Sequence, residues 1–486
     1  MRKALLIAII LIISGISSCS LIKPKPNIIL VVVDTMREDL GGANPPFFNS
    51  LKKKGIYFKN AFTTIPITLP AHLSLFSSKY PWELGVLNNG MEFTGNTKLL
   101  AETLREKGYT TMAAVSLGTV QASTGIAKGF DYYNDKFPPT RWWKSAEEVN
   151  KALIPMLPKL KPPFFLWIHY SDPHEPYAPP WVEPDGEVYV NGEKVGDVFF
   201  LKKEFFFIRG TPEKEVKVTV KLTQRLKGRA SYAIDIGEEG ETRIPFKKKD
   251  QVSFRLKLNR EGIGTIKPRV FLKAAAAHWF YKREVEYWDS QFKIMYAELK
   301  KRSLLKNTYM FIISDHGEGL GEWKAHKGHI HFLNALYTRI PILMLTPEGN
   351  KGVREELRSI MDIYPTVLKI THISSPHEIN GIDLFDKRGH SELFLQTFKP
   401  EAFFDRFAVI KDGFELIHTP QKSQFLFFDL KKDRMAIHPE KFNSKTPILI
   451  KLVKKYEEKV GPFIGKRKSK KDKARLKMLK SLGYVK

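Results

Sequence analysis

The chain has 486 residues, of which 43% are hydrophobic and 27% are charged. This length and composition suit one large core with a smaller module, and they exclude an intrinsically disordered protein. The formal net charge of +27 favours anionic partners, although a lysine-rich solvated surface explains the charge equally well. No zinc-finger spacing, basic zipper or RNA-binding strand motif occurs, so we expect no nucleic-acid partner. The single cysteine, Cys19, excludes internal disulfides, a thiolate metal site and a cysteine nucleophile.

The N-terminus has the pattern of a bacterial secretory signal. Two basic residues precede an apolar run over residues 4–13, which is too short to span a bilayer comfortably. Two serines then precede Cys19, as in a bacterial lipobox. We therefore predict a signal peptide over residues 1–18, a lipidated Cys19 and a tether over residues 19–26, with an uncleaved N-terminal anchor as the alternative. Either way, the body of the protein is expected outside the cytoplasm, attached to a membrane of the bacterial cell envelope.

Buried strands alternate with helical segments in two parts of the chain. Continuous apolar runs over residues 27–33, 164–168 and 309–313 are typical of central parallel strands that are buried on both faces. Helical patterns over residues 99–105 and 282–301 lie between such runs. The alternation predicts an α/β fold in which helices flank the sheet.

Three strands end in acidic or histidine residues. Asp34 follows the first run, Asp172 follows the second, and Asp315 with His316 follows the third. Because ligands of open α/β sheets bind at the carboxyl ends of the strands, we expect these four side chains to converge on one edge. Any one of them alone reads equally well as an ordinary polar loop residue.

The pattern changes between residues 181 and 274. Two segments, 215–222 and 252–258, alternate between polar and apolar residues, and an Asn-Gly pair at 191–192 is a strong signal for a type I′ hairpin. We expect an inserted antiparallel module that resembles a small β-sandwich. Its role is either structural or to bind substrate and shape access to the site.

The C-terminal part predicts a second, smaller β unit. Apolar runs over residues 407–410 and 414–418 flank an Asp-Gly pair and read as another hairpin, within a β subdomain over residues 396–445. Residues 446–486 form a basic helical tail, which either presses on an anionic membrane or docks on the domain surface.

Several ordered segments resemble the sulfatase family of the alkaline phosphatase superfamily. They are residues 26–37, 68–81, 172–177, 314–318 and 328–341, and residues 482–485 match a common family ending. The resemblance spans nearly the whole chain except the inserted module. It implies a mixed sheet flanked by helices, here built from residues 27–180 and 275–395, followed by a small C-terminal α+β subdomain with a short antiparallel sheet.

The resemblance also implies roles for individual residues. A divalent metal ion would be held by Asp34, Asp315, His316 and the hydroxyl oxygen of Thr68. Thr68 would be the nucleophile. The substrate anion or leaving group would be contacted by His72, Asp172, His174 and His329, with His174 and His329 also counted as catalytic. His326 and His331 either support the site or lie at the surface.

The nucleophile segment departs from the family pattern. Family sulfatases carry Cys or Ser where Thr68 stands, convert it to formylglycine and follow it with Pro-x-Arg, whereas His72 occupies the Arg position here. Thr35 replaces a second acidic ligand, and His316 stands where asparagine is common. Threonine at the nucleophile position resembles the superfamily's phosphodiesterases and its phosphoglycerol or phosphoethanolamine transferases. These departures favour phosphate-type esters over sulfate esters.

The expected cofactor is one divalent cation. Two carboxylates and an imidazole suit Zn²⁺ or Mn²⁺, whereas an all-oxygen set would suit Ca²⁺ or Mg²⁺. Such an ion can stabilise the alkoxide of Thr68, which is otherwise a poor nucleophile at neutral pH. A second ion on Asp172, His174 and His329 is the alternative, although the spacing of the first two favours one ion.

The sequence therefore predicts a metal-dependent hydrolase or transferase that cleaves phosphomonoesters or phosphodiesters through Thr68. Its substrate would be a phosphorylated or sulfated lipid, glycan or small molecule. One alternative is a sulfuric-ester hydrolase (a sulfatase) that uses an unmodified threonine. Another is an inactive lipoprotein that binds anionic glycan or lipid, and the intact set of polar residues argues against it.

Overall fold

The computed structural model describes residues 24–138, 141–175, 177, 183–202, 206–223, 229–237, 242–247, 249–399 and 402–464. The predicted signal peptide, Cys19, most of the tether and the end of the basic tail lie outside these ranges. Within them, no helix has both the length and the apolar character needed to cross a membrane.

Strands and helices alternate in the first third of the chain. In chain order the elements are β1 (Asn27–Val33), α1 (Pro46–Lys52), β2 (Ile56–Phe62), α2 (Thr68–Ser77), α3 (Pro81–Leu84), α4 (Leu100–Arg105), β3 (Thr110–Ala114), β4 (Tyr132–Asn134), α5 (Ala146–Leu153) and β5 (Phe164–Tyr170). The apolar runs that predicted central strands are confirmed as β1 and β5, and every residue of both strands is buried.

Between residues 183 and 272, the part of the chain that the structure describes contains strands and the loops that join them. Its strands are β6 (Gly186–Val190), β7 (Glu193–Val198), β8 (Phe206–Arg209), β9 (Glu215–Leu222), β10 (Ala230–Ile236), β11 (Thr242–Pro245), β12 (Gln251–Lys257) and β13 (Ile263–Leu272). They form two four-stranded antiparallel sheets, ordered β11-β10-β13-β8 and β12-β9-β6-β7, which share one apolar core. The predicted hairpin is confirmed, because Asn191 and Gly192 both have positive φ, as a type I′ turn requires.

The α/β pattern then resumes. The elements are α6 (Ala274–Lys301), β14 (Thr308–Ile313), β15 (Gly319–Leu320), β16 (Lys327–Gly328), α7 (Ala335–Thr338), β17 (Arg339–Leu345), β18 (Gly352–Arg354), β19 (Arg358–Ser359) and α8 (Ile363–Thr371). Helix α6 carries buried residues of two cores, since Tyr281 and Val285 pack with the β module and Trp288 packs with the central sheet. This helix therefore fixes the inserted module to the α/β domain.

A nine-stranded mixed sheet forms the centre of the α/β domain, with the order β18-β2-β17-β14-β1-β5-β3-β4 and β19 paired to β2. Strand β1 lies between β5 and β14 and is parallel to both. Apolar residues of the sheet and flanking helices form a core on each face. This is the predicted α/β architecture, and it brings the carboxyl ends of β1, β5 and β14 side by side.

The other end of β1 is held firmly. The Asn27 amide donates to Lys306 O at 3.1 Å, and its carbonyl oxygen accepts from Phe164 N at 3.2 Å. The Asn307 amide donates to Pro24 O at 2.9 Å. The chain is thus tied to the amino-terminal edge of the sheet from Pro24 onwards.

The C-terminal unit is a four-stranded antiparallel sheet covered by a helix. Its elements are β20 (Leu393–Thr397), β21 (Arg406–Lys411), β22 (Phe414–Thr419), β23 (Gln424–Asp429) and α9 (Thr446–Ile464). The predicted hairpin is confirmed as β21 and β22, and β20 begins three residues before the expected boundary at 396. One face of the sheet packs on Trp323 and Leu336, in the segment that follows β14.

Candidate active site

Three sequence-distant side chains meet at the carboxyl edge of the sheet. Asp34 follows β1, and Asp315 and His316 follow β14, so the parallel pairing of these strands brings them together. Their ligand atoms all lie within 4.8 Å of one another, and all three side chains are fully buried. His316 Nε2 is 3.4 Å from Asp315 Oδ2 and 4.0 Å from Asp34 Oδ1.

Thr68 completes this cluster as the first residue of α2. Its Oγ1 atom lies 3.5 Å from His316 Nε2, and the residue is fully buried. The structure therefore brings together the four predicted metal ligands, Thr68 included.

The cluster has the chemistry of a cation site. No group of the described residues makes a hydrogen bond of ordinary geometry to either oxygen of Asp34 or to Asp315 Oδ2. Buried carboxylate oxygens without donors are costly, and a bound cation would offset that cost. Burial also lowers the pKa of His316 well below its usual value, so the imidazole is neutral, which is the state that binds metals. Two carboxylates and a neutral imidazole fit one divalent cation.

The two carboxylates do not ionise equally when no cation is bound. Burial, followed by the charge of Asp34, raises the pKa of Asp315 well above its usual value. Burial also opposes ionisation of Asp34, but the neighbouring imidazoles, His169 first among them, bring its pKa below the usual value. A bound divalent cation would favour the charged form of both.

Thr35 orients Asp315 through its backbone. It adopts φ 57°, which is a strained conformation for a β-branched residue. Its N–H donates to Asp315 Oδ1 at 3.2 Å, and its carbonyl accepts from the Tyr281 hydroxyl at 2.9 Å. Since His316 N also donates to Asp315 Oδ1 at 2.9 Å, the other oxygen is turned towards the cluster. Thr35 stands where the resemblance implies a second acidic ligand, and it contributes a hydrogen bond to Asp315 and no carboxylate.

His169 is a site residue that the sequence prediction missed. It lies in β5, and its Nε2 atom is 3.5 Å from Asp34 Oδ2. Its Nδ1 atom is 2.9 Å from Ser116 Oγ and receives the backbone N–H of Ser116 at 3.4 Å. Because a backbone N–H can only donate, Nδ1 accepts and the ring proton resides on Nε2, facing Asp34. His169 lies inside an apolar strand pattern. A search for polar residues that follow a strand therefore does not find it.

His72 was predicted to contact substrate, and the structure puts it beneath the carboxylates. It is one helical turn after Thr68, and its Nδ1–H donates to Thr68 O at 2.8 Å. The same nitrogen lies 3.6 Å from Asp315 Oδ2. Burial, and then the proximity of His169, lowers the pKa of His72 to about 3. The neutral ring therefore does not supply the positive charge that an arginine would bring to this position.

His174 and His329 lie beside the cluster. The centroids of their rings are 5.1 Å apart, and the ring of His329 is 4.4 Å from that of His316. His329 Nδ1 is 3.2 Å from Oε2 of Glu318, a fully buried residue that the sequence prediction did not single out. Burial raises the pKa of Glu318 to about 8 and lowers that of His329 to about 4. Glu318 thus fixes the orientation of the His329 ring.

Asp172, unlike Asp34 and Asp315, accepts a hydrogen bond from the first residue of a helix. Its Oδ1 accepts from Ala146 N at 2.8 Å, at the first residue of α5. Burial raises its pKa to about 7. With His174 it lines a cavity of about 20 Å³, which is room for about one water molecule. Among the described residues only Asp34, Asp315 and His316 form a metal-type group, so Asp172 and His174 do not build a second one.

Asn89 is a further residue that the sequence prediction missed. Its Oδ1 accepts from Leu69 N at 2.9 Å, next to Thr68 at the start of α2. This bond fixes the amide, and its buried Nδ2 makes no hydrogen bond within the described part of the chain. A fixed donor beside a helix N-terminus can stabilise a developing negative charge next to the Thr68 hydroxyl.

Comparisons with known proteins point to one family. A family model described as Sulfatase matches residues 26–373. The "Arylsulfatase" of Clostridium perfringens is 23% identical, over 88% of this chain and 94% of that relative. The "Ulvan-active sulfatase" of Formosa agariphila is 25% identical, over 79% of this chain and 68% of that relative.

Two solved structures share the fold. One is a protein in complex with its substrate D-glucosamine-2-N, 6-O-disulfate, with a TM-score of 0.62, 16% identity and coverage of 90% of this chain and 98% of that one. The other is the phosphonate monoester hydrolase of Agrobacterium radiobacter, with a TM-score of 0.58, 14% identity and coverage of 92% and 97%. Since the family match covers well over half of its length, the chain belongs to the sulfatase family, in the alkaline phosphatase superfamily, and is a sulfatase-family hydrolase.

Proposed function

We propose that the protein is a metal-dependent esterase that cleaves phosphomonoesters or phosphodiesters with the Thr68 hydroxyl as nucleophile. The observation that carries the proposal is the position of Thr68 Oγ1, 3.5 Å from His316 Nε2 in a buried cluster with two carboxylates. Threonine offers no route to formylglycine, so the residue acts as it stands. A threonine ester of phosphate is the intermediate expected of such a nucleophile.

The cofactor assigned to this site is one divalent cation, with Zn²⁺ or Mn²⁺ preferred. It would be held by Asp34, Asp315, His316 and the Thr68 oxygen, and when bound it would supply Lewis-acid stabilisation of the threonine alkoxide. Thr35 and His169 would orient the two carboxylate ligands. The Thr35 N–H donates to Asp315, and the His169 Nε2–H is directed towards Asp34.

The remaining residues handle the substrate. Thr68 Oγ1 forms the new bond to phosphorus as the bond to the leaving alcohol breaks. As Oγ1 bonds to phosphorus its proton passes to solvent, and the leaving oxygen takes up a proton. His329 is neutral, so it is assigned to relay this proton: its Nε2–H donates to the leaving oxygen while the protonated carboxyl of buried Glu318 returns a proton to Nδ1, with His174 beside the ring. Asn89 Nδ2 donates to a non-bridging oxygen. Water then attacks the phosphothreonine, which releases phosphate from a monoester substrate or a phosphomonoester from a diester, and a proton from the water restores the Thr68 hydroxyl. An alcohol in place of water would make the reaction a transfer.

Sulfate-ester cleavage by the unmodified threonine is the second candidate. Relatives named arylsulfatase and ulvan-active sulfatase favour it, as does a solved structure that holds a disulfated sugar. The phosphonate monoester hydrolases among the fold neighbours support the phosphate reading. In both cases the partner is an anionic ester, carried by a lipid, a glycan or a small molecule.

The proposal includes an extracytoplasmic location with membrane attachment through Cys19. It rests on the lipobox-like residues before Cys19. Labelling with a radioactive fatty acid in the native host, compared between wild type and Cys19→Ala, tests it. Label in both proteins, or in neither, contradicts it.

One assay separates the candidate functions. The metal-depleted full chain is reloaded with Mn²⁺ or Zn²⁺ and given 4-nitrophenyl phosphate, bis(4-nitrophenyl) phosphate and 4-nitrophenyl sulfate. We expect turnover of a phosphate substrate above that of the sulfate, abolished in Thr68→Ala and retained in Thr366→Ala, a control at a buried threonine of α8. Faster turnover of the sulfate refutes the phosphate preference. Full activity of Thr68→Ala refutes the nucleophile, and no turnover by wild type favours an inactive binding protein.

A further inference from the structure

A strained turn leads out of the active site at Ile330. This residue has φ 77°, which is rare for a β-branched side chain and costs conformational energy. The turn is held on both sides, because Ile330 N donates to Pro66 O at 3.2 Å and the Thr397 hydroxyl donates to Ile330 O. It sends two neighbouring histidines to different places: His329 packs 4.4 Å from His316 inside the site, and His331 packs outside it.

His331 belongs to an aromatic group that we name the rim cluster, made of His326, His331, Phe403 and Phe404. The rings of His331 and Phe403 are stacked, 3.7 Å apart with an interplanar angle of 12°. The ring of His326 stands edge-on, 5.0 Å from His331 and 6.2 Å from Phe403. Phe403 is nevertheless 50% exposed. A large ring is thus held in a fixed orientation while half of it faces water.

Cationic side chains lie around Phe404, the second phenylalanine of the rim cluster. Lys422 Nζ lies 4.3 Å from the Phe404 ring centroid, and Lys399 Nζ lies 5.5 Å from it. The Arg406 guanidinium lies between Phe404, at 5.5 Å, and Phe332, at 4.9 Å. Lys399 and Lys422 therefore add positive charge beside Phe404, where the Asp405 carboxylate also accepts from Lys399 N at 2.8 Å. The positive charge of the two lysines suits a ligand that is itself an anion.

The rim cluster and the active site are neighbours. His331 N donates to His329 O at 2.9 Å. The exposed carboxylate of Glu175, which follows His174, acts electrostatically on His326 and on His329 alike. A ligand whose anionic group is at His329 can therefore extend over the rim cluster.

We propose that the rim cluster binds the ring of the substrate alcohol, with the ring face packed on Phe403. The inference rests on the proposed function, because it assumes that the esterified group occupies the site beside His329. An aromatic ring would stack on Phe403, and a sugar ring would present its C–H face to it. The favoured substrate is then an anionic ester of a ring-bearing alcohol rather than of a short open-chain one.

Binding measurements test the proposal without requiring turnover. The full chain, loaded with Mn²⁺ or Zn²⁺, is titrated by calorimetry with phenylphosphonate and with methylphosphonate. We expect wild type to bind the phenyl compound about 3- to 10-fold more tightly, the range expected of one aromatic contact. This ratio should fall to about 1 in Phe403→Ala and stay unchanged in Phe442→Ala, a matched control at a phenylalanine that is 57% exposed.

A second arm distinguishes aryl from sugar rings. It compares glucose 6-phosphate with glycerol 3-phosphate in Thr68→Ala, which prevents turnover, and again with Phe403→Ala added. A preference for phenylphosphonate that is lost in Phe403→Ala identifies an aryl ring, and a preference for glucose 6-phosphate that is lost in the same way identifies a sugar ring. The proposal is overturned if wild type shows no ring preference in either arm, or if Phe403→Ala weakens ring and ringless ligands equally.

Controls keep the test valid if Phe403→Ala is unstable. Phe403→Tyr should keep the preference, and Phe403→Leu, which keeps apolar bulk without a ring, should lower it. Equal ratios in these two variants would contradict the stacking. Loss of activity in Thr68→Ala together with an unchanged ring ratio in Phe403→Ala would refute this inference alone and leave the proposed function standing.

Discussion

Replacing Asp315 by asparagine should have opposite effects on stability with and without metal. Asp315 Oδ1 accepts two backbone N–H groups, from Thr35 and His316, and the carbonyl oxygen of asparagine can accept both. The other oxygen has no donor among the described residues, and burial and Asp34 oppose its ionisation. The substitution removes a poorly tolerated carboxyl group in the metal-free protein, but it also removes a ligand from the metal-bound one.

The magnitudes follow from these contacts. Folding the metal-free wild type requires Asp315 to take up a proton or to bury a charge, whereas asparagine is neutral in both states and its Nδ2–H would face the acceptor His316 Nε2, 3.4 Å from the position of Oδ2. Metal-free Asp315→Asn should therefore be more stable than metal-free wild type by about 1–3 kcal/mol, the cost of one buried polar group that lacks a partner. A cation at about 100 times its Kd should stabilise wild type by about 2.7 kcal/mol, and it should stabilise the variant much less. Thermal stability should therefore rank the variant first in chelator and wild type first in excess metal.

The pH dependence has a definite sign. Because the pKa of Asp315 is raised in the folded protein, the folded state holds its proton more tightly than the unfolded state does. Stability of the metal-free wild type should thus fall as pH rises above 3.8, the usual pKa of an aspartate, and part of this slope should vanish in Asp315→Asn.

The assay is thermal unfolding at several pH values, in EDTA and in excess Mn²⁺ or Zn²⁺. Asp289→Asn is the control, since both oxygens of Asp289 accept backbone N–H groups, from Phe47 and Phe48. It should lose stability in both conditions and keep the response to metal. Equal metal stabilisation of wild type and Asp315→Asn, or a less stable metal-free variant, would refute the reasoning.

Three further predictions concern residues around the cluster. His169→Ala should weaken metal affinity about 10- to 100-fold by competition titration, and His169→Gln, which restores an N–H donor near Asp34, should recover part of it; equal losses would contradict the donor role. Asn89→Ala should lower kcat about 10²- to 10³-fold with unchanged metal affinity, as measured on the best substrate of the ester panel, and a purely structural Asn89 would instead lower the melting temperature. Asp172→Asn should make the free energy of unfolding less dependent on pH between about 4 and 8. The wild-type carboxyl has a pKa of about 7 in the folded protein, so wild type loses stability as this group loses its proton. Denaturant unfolding should show that wild type loses at most about 4 kcal/mol more than the variant over this pH range.

The sequence locates residues whose role depends on local pattern. Asp34 and Asp315 end apolar runs, and the rule that parallel strands present their carboxyl ends on one edge is enough to bring them together. The Asn191-Gly192 hairpin follows from two adjacent positive φ angles that few residue pairs tolerate. At these positions the local sequence pattern and the tertiary structure favour the same conformation.

Residues whose role depends on tertiary contacts are harder to find. His169 reads as one more member of a buried strand until β1 and β5 pair and place it against Asp34. Glu318 and Asn89 matter only because the chain folds back on His329 and on the start of α2. The neutral state of His72 is set by complete burial, which an alignment with an arginine position does not reveal.

The position of β1 in the sheet bears on which esters could reach the active site. The chain is fixed at Pro24 on the amino-terminal edge of the sheet, and the seven residues of β1 span about 23 Å to the opposite edge, where Asp34 lies. If Cys19 carries the lipid, residues 19–23 add a leash of at most about 18 Å, attached on the far side of the body from the catalytic pocket. With such an anchor, the active site would lie at the edge of the sheet opposite the membrane attachment. Dissolved or matrix-bound anions would then reach it more readily than the lipid headgroups around the anchor.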